Sequence, residues 1–226
     1  MGLILFSCSP RVESKSNTAV IVAAFADGFA VENGNRAEVF YLYKRNGWDD
    51  YKKTFENNTE FIFAMPLFVE CIPGLVMEFF EYLEPKKNSE KRSTIGFILQ
   101  GGFEEACQLR TAELFLEKLP GYLNCDYSGT LIKGGMFALS ASSKRAKKRL
   151  LNPFYEMGKT YAQQRLFEKA TVSKFAAPER YSKATIALIW FLKPVNKIAW
   201  WYLSRKFGVK GKMDARPYQI EEKMTV

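Results

Sequence analysis

Polar residues that follow the first apolar run of the chain have the types and spacing of an anion site. Serine, asparagine and threonine commonly cap helices, so on their own they predict only that a helix begins here. An arginine in the same loop adds a guanidinium fork beside the unpaired N–H groups and the positive dipole end of that helix. The combination predicts a phosphate site. Its residues are Ser9, Arg11, Ser16, Asn17 and Thr18.

Composition restricts what other chemistry the chain can perform. The 226 residues contain no histidine, so the commonest general base is missing. The four cysteines include no Cys-x-x-Cys pair, which argues against a zinc site or an iron–sulfur cluster and favours free thiols in a reducing cytoplasm. We expect Cys71 to be a buried thiol rather than a redox group. No secretory signal is expected, because the first apolar run is too short. Any chemistry is therefore expected to belong to a cofactor.

Alternating apolar runs and helical patterns predict the fold class. Strand-like runs bounded by turn residues occur at 3–6, 37–43, 60–65, 93–100 and 125–139, the last broken by glycines. Between and after them lie helical patterns at 16–34, 48–55, 73–83 and 104–119, and a basic helix capped by Ser142 or Ser143. This order predicts an α/β fold with a doubly wound, parallel five-stranded sheet and helices on both faces. The flavodoxin-like strand order is the favoured arrangement.

The first loop resembles that of a known family. Ser9-Pro10-Arg11 followed by Ser16-Asn17-Thr18 is similar to the loop that holds the FMN phosphate in flavodoxin-like NADPH-dependent FMN reductases. Here residues 12–15 separate the two halves and make the loop slightly longer, and Cys8 stands where a glycine is common. The glycine spacing of dinucleotide sites and the Gly-Lys pair of nucleotide triphosphatases are both absent.

Two later loops resemble the same family. Residues 66–69 follow the third strand and are similar to the Pro-Leu-Tyr segment that lies along the flavin ring, with Phe68 in place of the frequent tyrosine. Residues 101–103 follow the fourth strand and are similar to a glycine-rich loop whose backbone amides approach the ring. A proline at a strand end and a glycine pair in a turn are common in any loop, so the order of all three loops carries the argument. The implied ring contacts are Pro66, Leu67, Phe68, Val69, Gly101, Gly102 and Phe103.

The resemblance covers about residues 3–140 and implies a function. It implies an FMN-dependent NAD(P)H oxidoreductase that transfers hydride from a nicotinamide to bound flavin and then to a quinone or another small-molecule acceptor, acting as a homodimer. One alternative is a flavodoxin-like electron-transfer module without NAD(P)H turnover. The other is a flavin-free scaffold that acts through its carboxyl-terminal extension. No residue is assigned as a catalytic acid or base.

The carboxyl-terminal part of the chain differs in charge from the rest. Residues 133–226 contain 20 Lys or Arg against 6 Asp or Glu, whereas the net charge of the whole chain is +9. We therefore predict a flavin-binding domain at 1–170 and a basic, aromatic-rich helical extension at 171–226. This asymmetry is typical of a chain with an anionic partner, although a solvated basic helix face has the same composition.

Two apolar runs in this extension, at 184–192 and 195–207, are separated by Pro194, which predicts two short helices. Neither run reaches the roughly 20 residues that span a bilayer. Trp and Tyr beside Lys and Arg are typical of an interfacial helix, and equally of packing against the sheet domain or a second subunit. Residues 184–207 therefore have three interpretations, which are packing or dimerisation, contact with the inner face of the membrane, and contact with another partner. No motif for nucleic-acid binding is recognisable, so we do not expect nucleic acid as a partner.

Overall fold

A parallel five-stranded sheet organises the first of two compact units. The computed structural model describes residues 2–87, 92–206, 208–209 and 211. The first unit extends to Arg180, and the second begins at Tyr181. The strands are β1 (Ile4–Ser7), β2 (Glu38–Tyr41), β3 (Glu60–Pro66), β4 (Thr94–Gln100) and β5 (Asp126–Lys133). They are all parallel in the order β2-β1-β3-β4-β5, which confirms the flavodoxin-like prediction.

Nine helices belong to the described residues. They are α1 (Asn17–Asn33), α2 (Trp48–Asn57), α3 (Gly74–Tyr82), α4 (Arg110–Leu116), α5 (Leu119–Tyr122), α6 (Lys144–Gln164), α7 (Lys169–Ala176), α8 (Lys183–Phe191) and α9 (Lys193–Lys206). Helix α1 ends at Gly34, which has a left-handed backbone with φ 76°, as its position predicted. Ser143 caps α6 by accepting a hydrogen bond from the backbone N–H of Ala146.

Hydrophobic residues on both faces of the sheet are buried. Along β3, Phe61, Phe63 and Met65 join one core cluster, which includes side chains of α2, α3 and α4. The residues between them, Ile62 and Ala64, join the second cluster, which includes side chains of α1 and α6. This explains why β3 is an almost continuous apolar run and confirms that helices cover both faces.

Two predicted elements are shorter or more broken than the sequence suggested. The run at 125–139 ends as a strand at Lys133, and Met136–Leu139 forms a 3-10 turn. The predicted helix at 104–119 is a 3-10 turn at Ala106–Leu109 followed by α4 and α5. Helix α4 ends before Pro120 because a proline interior to a helix lacks the donor and clashes with the preceding turn. Pro120 instead lies in the first turn of α5.

The first unit includes residues beyond 170. Val172 and Ala176 of α7 are buried in its core. The Lys133 ammonium group donates to the carbonyl oxygens of Phe175 at 2.7 Å and Ala177 at 3.1 Å, and burial lowers its pKa. Glu179 pairs with Arg110 on α4 at 2.7 Å. Through these contacts the residues up to Arg180 belong to the same unit as the sheet.

Helices α1 and α6 cross with their backbones in contact. A Cβ atom at Gly28 would lie 1.9 Å from the carbonyl oxygen of Tyr155, and one at Gly158 would lie 2.1 Å from the carbonyl oxygen of Phe25. Both obstacles are backbone atoms, which cannot rotate away. Only glycine therefore permits this helix separation.

We predict that Gly28→Ala destabilises the protein by about 2–3 kcal/mol, because the methyl group forces the two helices apart. The measurement is the urea midpoint at constant m-value. Gly121→Ala is the control, since a Cβ there meets nothing within 4 Å, and it should change stability by less than about 1 kcal/mol. Equal midpoints for the two variants would contradict the proposed crossing.

Candidate functional site

The loop after β1 is longer than in the family it resembles, and the additional residues are folded. Glu13–Lys15 forms a 3-10 turn. The hydroxyl of Tyr41, at the end of β2, donates to Glu13 Oε1 at 2.8 Å. Burial, followed by the hydrogen bond to the Glu13 carboxylate, raises the pKa of Tyr41 to about 12. The insertion is therefore fastened to the neighbouring strand.

Hydrogen-bond donors for an anion are available in this loop. Ser16 is buried and caps α1 by accepting from the N–H of Ala19 at 3.2 Å, while the N–H groups of Asn17 and Thr18 have no acceptor among the described residues. The exposed Arg11 guanidinium also has no hydrogen-bond or ion-pair partner within that part of the chain. Buried Ser9 accepts from the N–H of Arg11 at 3.2 Å, which leaves its own hydroxyl proton free to donate.

The side chains of Asn17 and Thr18 have partners inside the protein. Asn17 Nδ2 donates to the carbonyl oxygen of Met136 at 2.9 Å. Thr18 Oγ1 is 3.4 Å from Gln100 Nε2, which donates to it. Both residues were predicted to bind phosphate. Their side chains instead connect the start of α1 to the segment after β5 and to the last residue of β4. Their backbone N–H groups remain for a ligand.

The loop after β3 contains a strained two-residue turn. Phe68 and Cys71 exchange backbone hydrogen bonds of 2.8 and 3.0 Å around Val69 and Glu70, whose φ angles are 46° and 66°. Two left-handed residues define a hairpin turn that normally requires glycine or asparagine. A β-branched residue in this conformation is unusual and costs about 1–3 kcal/mol. The turn leaves Val69 96% exposed.

Cys71 is exposed, so the expectation that it is a buried thiol was wrong. Its side chain lies in the loop between β3 and α3, outside the core. Cys8 instead fills the buried position: its thiol donates to the carbonyl oxygen of Phe6 at 3.3 Å, and burial raises its pKa well above the usual value. Where the family often has a glycine, this chain therefore places a buried and unreactive thiol.

The loop after β4 is hydrogen-bonded to the segment that follows β5. The N–H groups of Met136 and Gly135 donate to the carbonyl oxygens of Gly101 at 2.9 Å and Phe103 at 2.8 Å. A Cβ at Gly134 would lie 2.3 Å from the oxygen of Phe103, so this close approach depends on that glycine. Sequence reasoning treated Gly134 as a strand break and missed its role. Phe103 itself is 76% exposed.

The three predicted loops lie at one edge of the sheet. They leave the carboxyl ends of β1, β3 and β4, which are adjacent parallel strands. The N–H of Leu67 donates to the carbonyl oxygen of Gln100 at 2.8 Å, which joins the second loop to the third. The edge thus combines free anion donors with exposed apolar side chains, as a phosphorylated planar ligand requires. These exposed side chains are Phe68, Val69, Phe103 and Phe137.

Comparison with known proteins agrees with this architecture. No family model and no curated protein matches the sequence. Among solved structures, general stress protein 14 of Treponema denticola in complex with FMN matches with a TM-score of 0.54 and 12% identity over 73% of this chain and 99% of that chain. An apo NADH:FMN oxidoreductase matches with a TM-score of 0.53 and 11% identity over 79% and 97% of the two chains.

An FMN-dependent NADH-azoreductase from Bacillus anthracis, in complex with FMN, also matches, with a TM-score of 0.52 and 13% identity over 74% of this chain and 100% of that chain. All three matches cover nearly the whole of the other protein and about three quarters of this one. At such low identity the likeness concerns backbone architecture. The chain therefore has the flavodoxin-like fold that these flavin-linked proteins share.

Proposed function

We propose that the protein is an FMN-dependent NAD(P)H oxidoreductase that passes hydride from a nicotinamide to bound flavin and then to a quinone or another small-molecule acceptor. The observation that carries this proposal is the edge formed by the loops after β1, β3 and β4. Free anion donors and exposed aromatic and aliphatic side chains lie together there. The fold adds support, because two solved proteins that share it hold FMN.

The residues present fit the phosphate of FMN. The backbone N–H groups of Asn17 and Thr18 lie in the first turn of α1, where the helix dipole also favours negative charge. The Ser9 hydroxyl and the Arg11 guanidinium belong to the same loop. Neither the Asn17 nor the Thr18 side chain is needed as a ligand. In this proposal they fix the position of the turn.

The residues present also fit a flavin ring. Phe68, Val69 and Phe103 expose apolar surface that a planar ring would remove from water. Gly102 is exposed and carries no side chain between its backbone and a bound ring, whereas the N–H of Gly101 donates to the carbonyl oxygen of Lys133 at 2.9 Å. Contact with the ring would offset the strain at Val69. On these observations we assign Phe68, Val69, Gly102 and Phe103 to the ring. Pro66 and Gly101 are buried and Leu67 is partly buried, so we assign these three to the support of the two loops.

The flavin, when bound, supplies the electron chemistry, and the protein binds it and orients it. This division of labour is consistent with a chain that has no histidine. We further propose that the enzyme works as a homodimer in the cytoplasm and that residues 184–207 contact the inner face of the membrane. Phe207 lies outside the described residues.

We predict that Arg11→Gln weakens FMN binding about 10- to 100-fold, because a hydrogen bond to a charged phosphate contributes about 1.5–3 kcal/mol. Riboflavin, which has no phosphate, should bind both proteins equally. Titration by flavin fluorescence quenching measures both ligands. Arg36→Gln is the control, since Arg36 pairs with Asp27 at 2.9 Å at the other end of α1. Equal losses for FMN and riboflavin would contradict the assigned phosphate site.

We predict opposite effects of Val69→Asn on stability and binding. Asparagine tolerates the left-handed backbone, so the free protein should gain about 1 kcal/mol of stability. Loss of apolar surface should weaken FMN binding severalfold. Glu70→Asn is the matched control, because it relieves the same turn without removing apolar surface. If both variants changed FMN affinity equally, Val69 would not contact the ring.

We predict that reduced nicotinamide bleaches the flavin absorbance of the FMN-loaded protein within the time range of a stopped-flow instrument. An electron-transfer module would bind FMN but show no such bleaching by NADH or NADPH. A flavin-free scaffold would remain colourless after incubation with FMN. Either of these two results would overturn the proposed enzyme.

A further inference from the structure

Helix α8 exposes apolar side chains around its whole circumference. Its exposed residues are 42% to 76% accessible. At 100° per residue their side chains are distributed around the helix axis rather than along one stripe. They are Ile186, Leu188, Ile189, Trp190 and Phe191. A helix that is apolar all round requires apolar surroundings on every side.

A protein partner would ordinarily cover only one face of such a helix. A lipid phase surrounds it completely, which favours lipid as the occupant. With nine residues, α8 is about 13.5 Å long, less than half of the roughly 30 Å hydrocarbon core. No helix in the described part of the chain combines the length and apolar character needed to cross a bilayer. Shallow insertion into one leaflet would surround so short a helix with acyl chains.

The charges around α8 fit an anionic surface. Residues 181–206 contain five Lys or Arg and no Asp or Glu. Lys183 lies at the start of α8, Lys193 and Lys197 lie in the first turns of α9, and Arg205 and Lys206 lie at its end. Like charges would oppose the pairing of two copies of this unit, whereas anionic headgroups would attract each of them.

Helix α9 carries one apolar stripe, and exposed aromatic residues also occur on its other sides. Val195, Ile198 and Tyr202 are all exposed and share one face, at i, i+3 and i+7. Lys193 and Lys197 lie on the opposite face. Three of the four tryptophans of the chain belong to α8 and α9. Tryptophan beside lysine and arginine is typical of headgroup depth.

We propose that α8 and α9 form an interfacial anchor that binds bilayers rich in anionic lipid. Helix α8 enters the acyl chains of one leaflet just beneath the headgroups, and the flanking cations contact lipid phosphates. This inference deepens the proposed membrane contact by naming the lipid chemistry and the inserted element. It does not depend on the flavin chemistry, because no residue of the anchor belongs to the candidate site.

The test uses the full chain and two vesicle compositions, pure phosphatidylcholine and phosphatidylcholine with roughly 30% phosphatidylglycerol. We expect flotation with the anionic vesicles and much less with the neutral ones. Raising the salt from about 0.1 M to 1 M should weaken binding, because the screening length falls from about 10 Å to 3 Å. Tryptophan emission should shift to the blue on binding. Trp48, already buried, contributes a constant background.

Two variants separate the apolar and the charge contributions. Ile189→Glu should abolish flotation. The triple variant Lys193→Gln/Lys197→Gln/Arg205→Gln should lower the partition coefficient roughly 100-fold, at about fivefold per cation. It changes only exposed residues, so a folding failure of Ile189→Glu would leave the proposal testable.

Matched controls lie in the sheet unit. Leu114→Glu on α4 introduces the same charge at an exposed apolar position, and Lys144→Gln/Lys147→Gln/Lys148→Gln on α6 removes the same number of cations. Both should bind anionic vesicles as the parent does. Equal loss in the controls, or no flotation of the parent at low salt, would overturn the anchor. A dimer that Ile189→Glu dissociates in the absence of lipid would also overturn it, by making a second copy the occupant.

Discussion

The hydrogen bond from the Asn17 side chain to the carbonyl oxygen of Met136 connects the two parts of the candidate site. Parallel strands bring their carboxyl ends to one edge, but they do not fix the loops that follow. Met136 also donates its N–H to the carbonyl oxygen of Gly101. One peptide segment after β5 thus positions both the start of α1 and the loop after β4. The unpaired N–H groups at the start of α1 and the exposed Phe103 are held relative to each other through this segment.

Local signals were sufficient to predict the order of elements. Ser16 and Ser143 begin helices and Gly34 ends one, each through contacts within a few residues. The alternation of strands and helices along the chain predicts a parallel sheet. The carboxyl end of β5 and the 3-10 turn at Ala106–Leu109 depend instead on distant groups. Gly134 must accommodate the backbone of Phe103, and the N–H of Ala106 donates to the oxygen of Pro178. No window of sequence contains these pairs.

The candidate site was predictable as a set of loops and less so as a set of side chains. The donors at the start of α1 follow from the rules for helix ends. The hydrogen bond from Asn17 to Met136, 119 residues away, does not follow from any such rule. The turn at Val69 and Glu70 was missed because neither residue favours a left-handed backbone. Sites where local preference is violated are often functional, and this turn includes Val69, one of the proposed ring contacts.

The glycine crossing of α1 and α6 has a consequence for how such a chain can diverge. Gly28 lies about 16 Å along α1 from its first turn, so neither glycine meets a ligand bound there. Yet a bulkier residue at either position would tilt α1 and displace that turn. Selection for the proposed ligand would therefore act on two positions remote from it. A lineage that keeps the ligand is expected to inherit both glycines together.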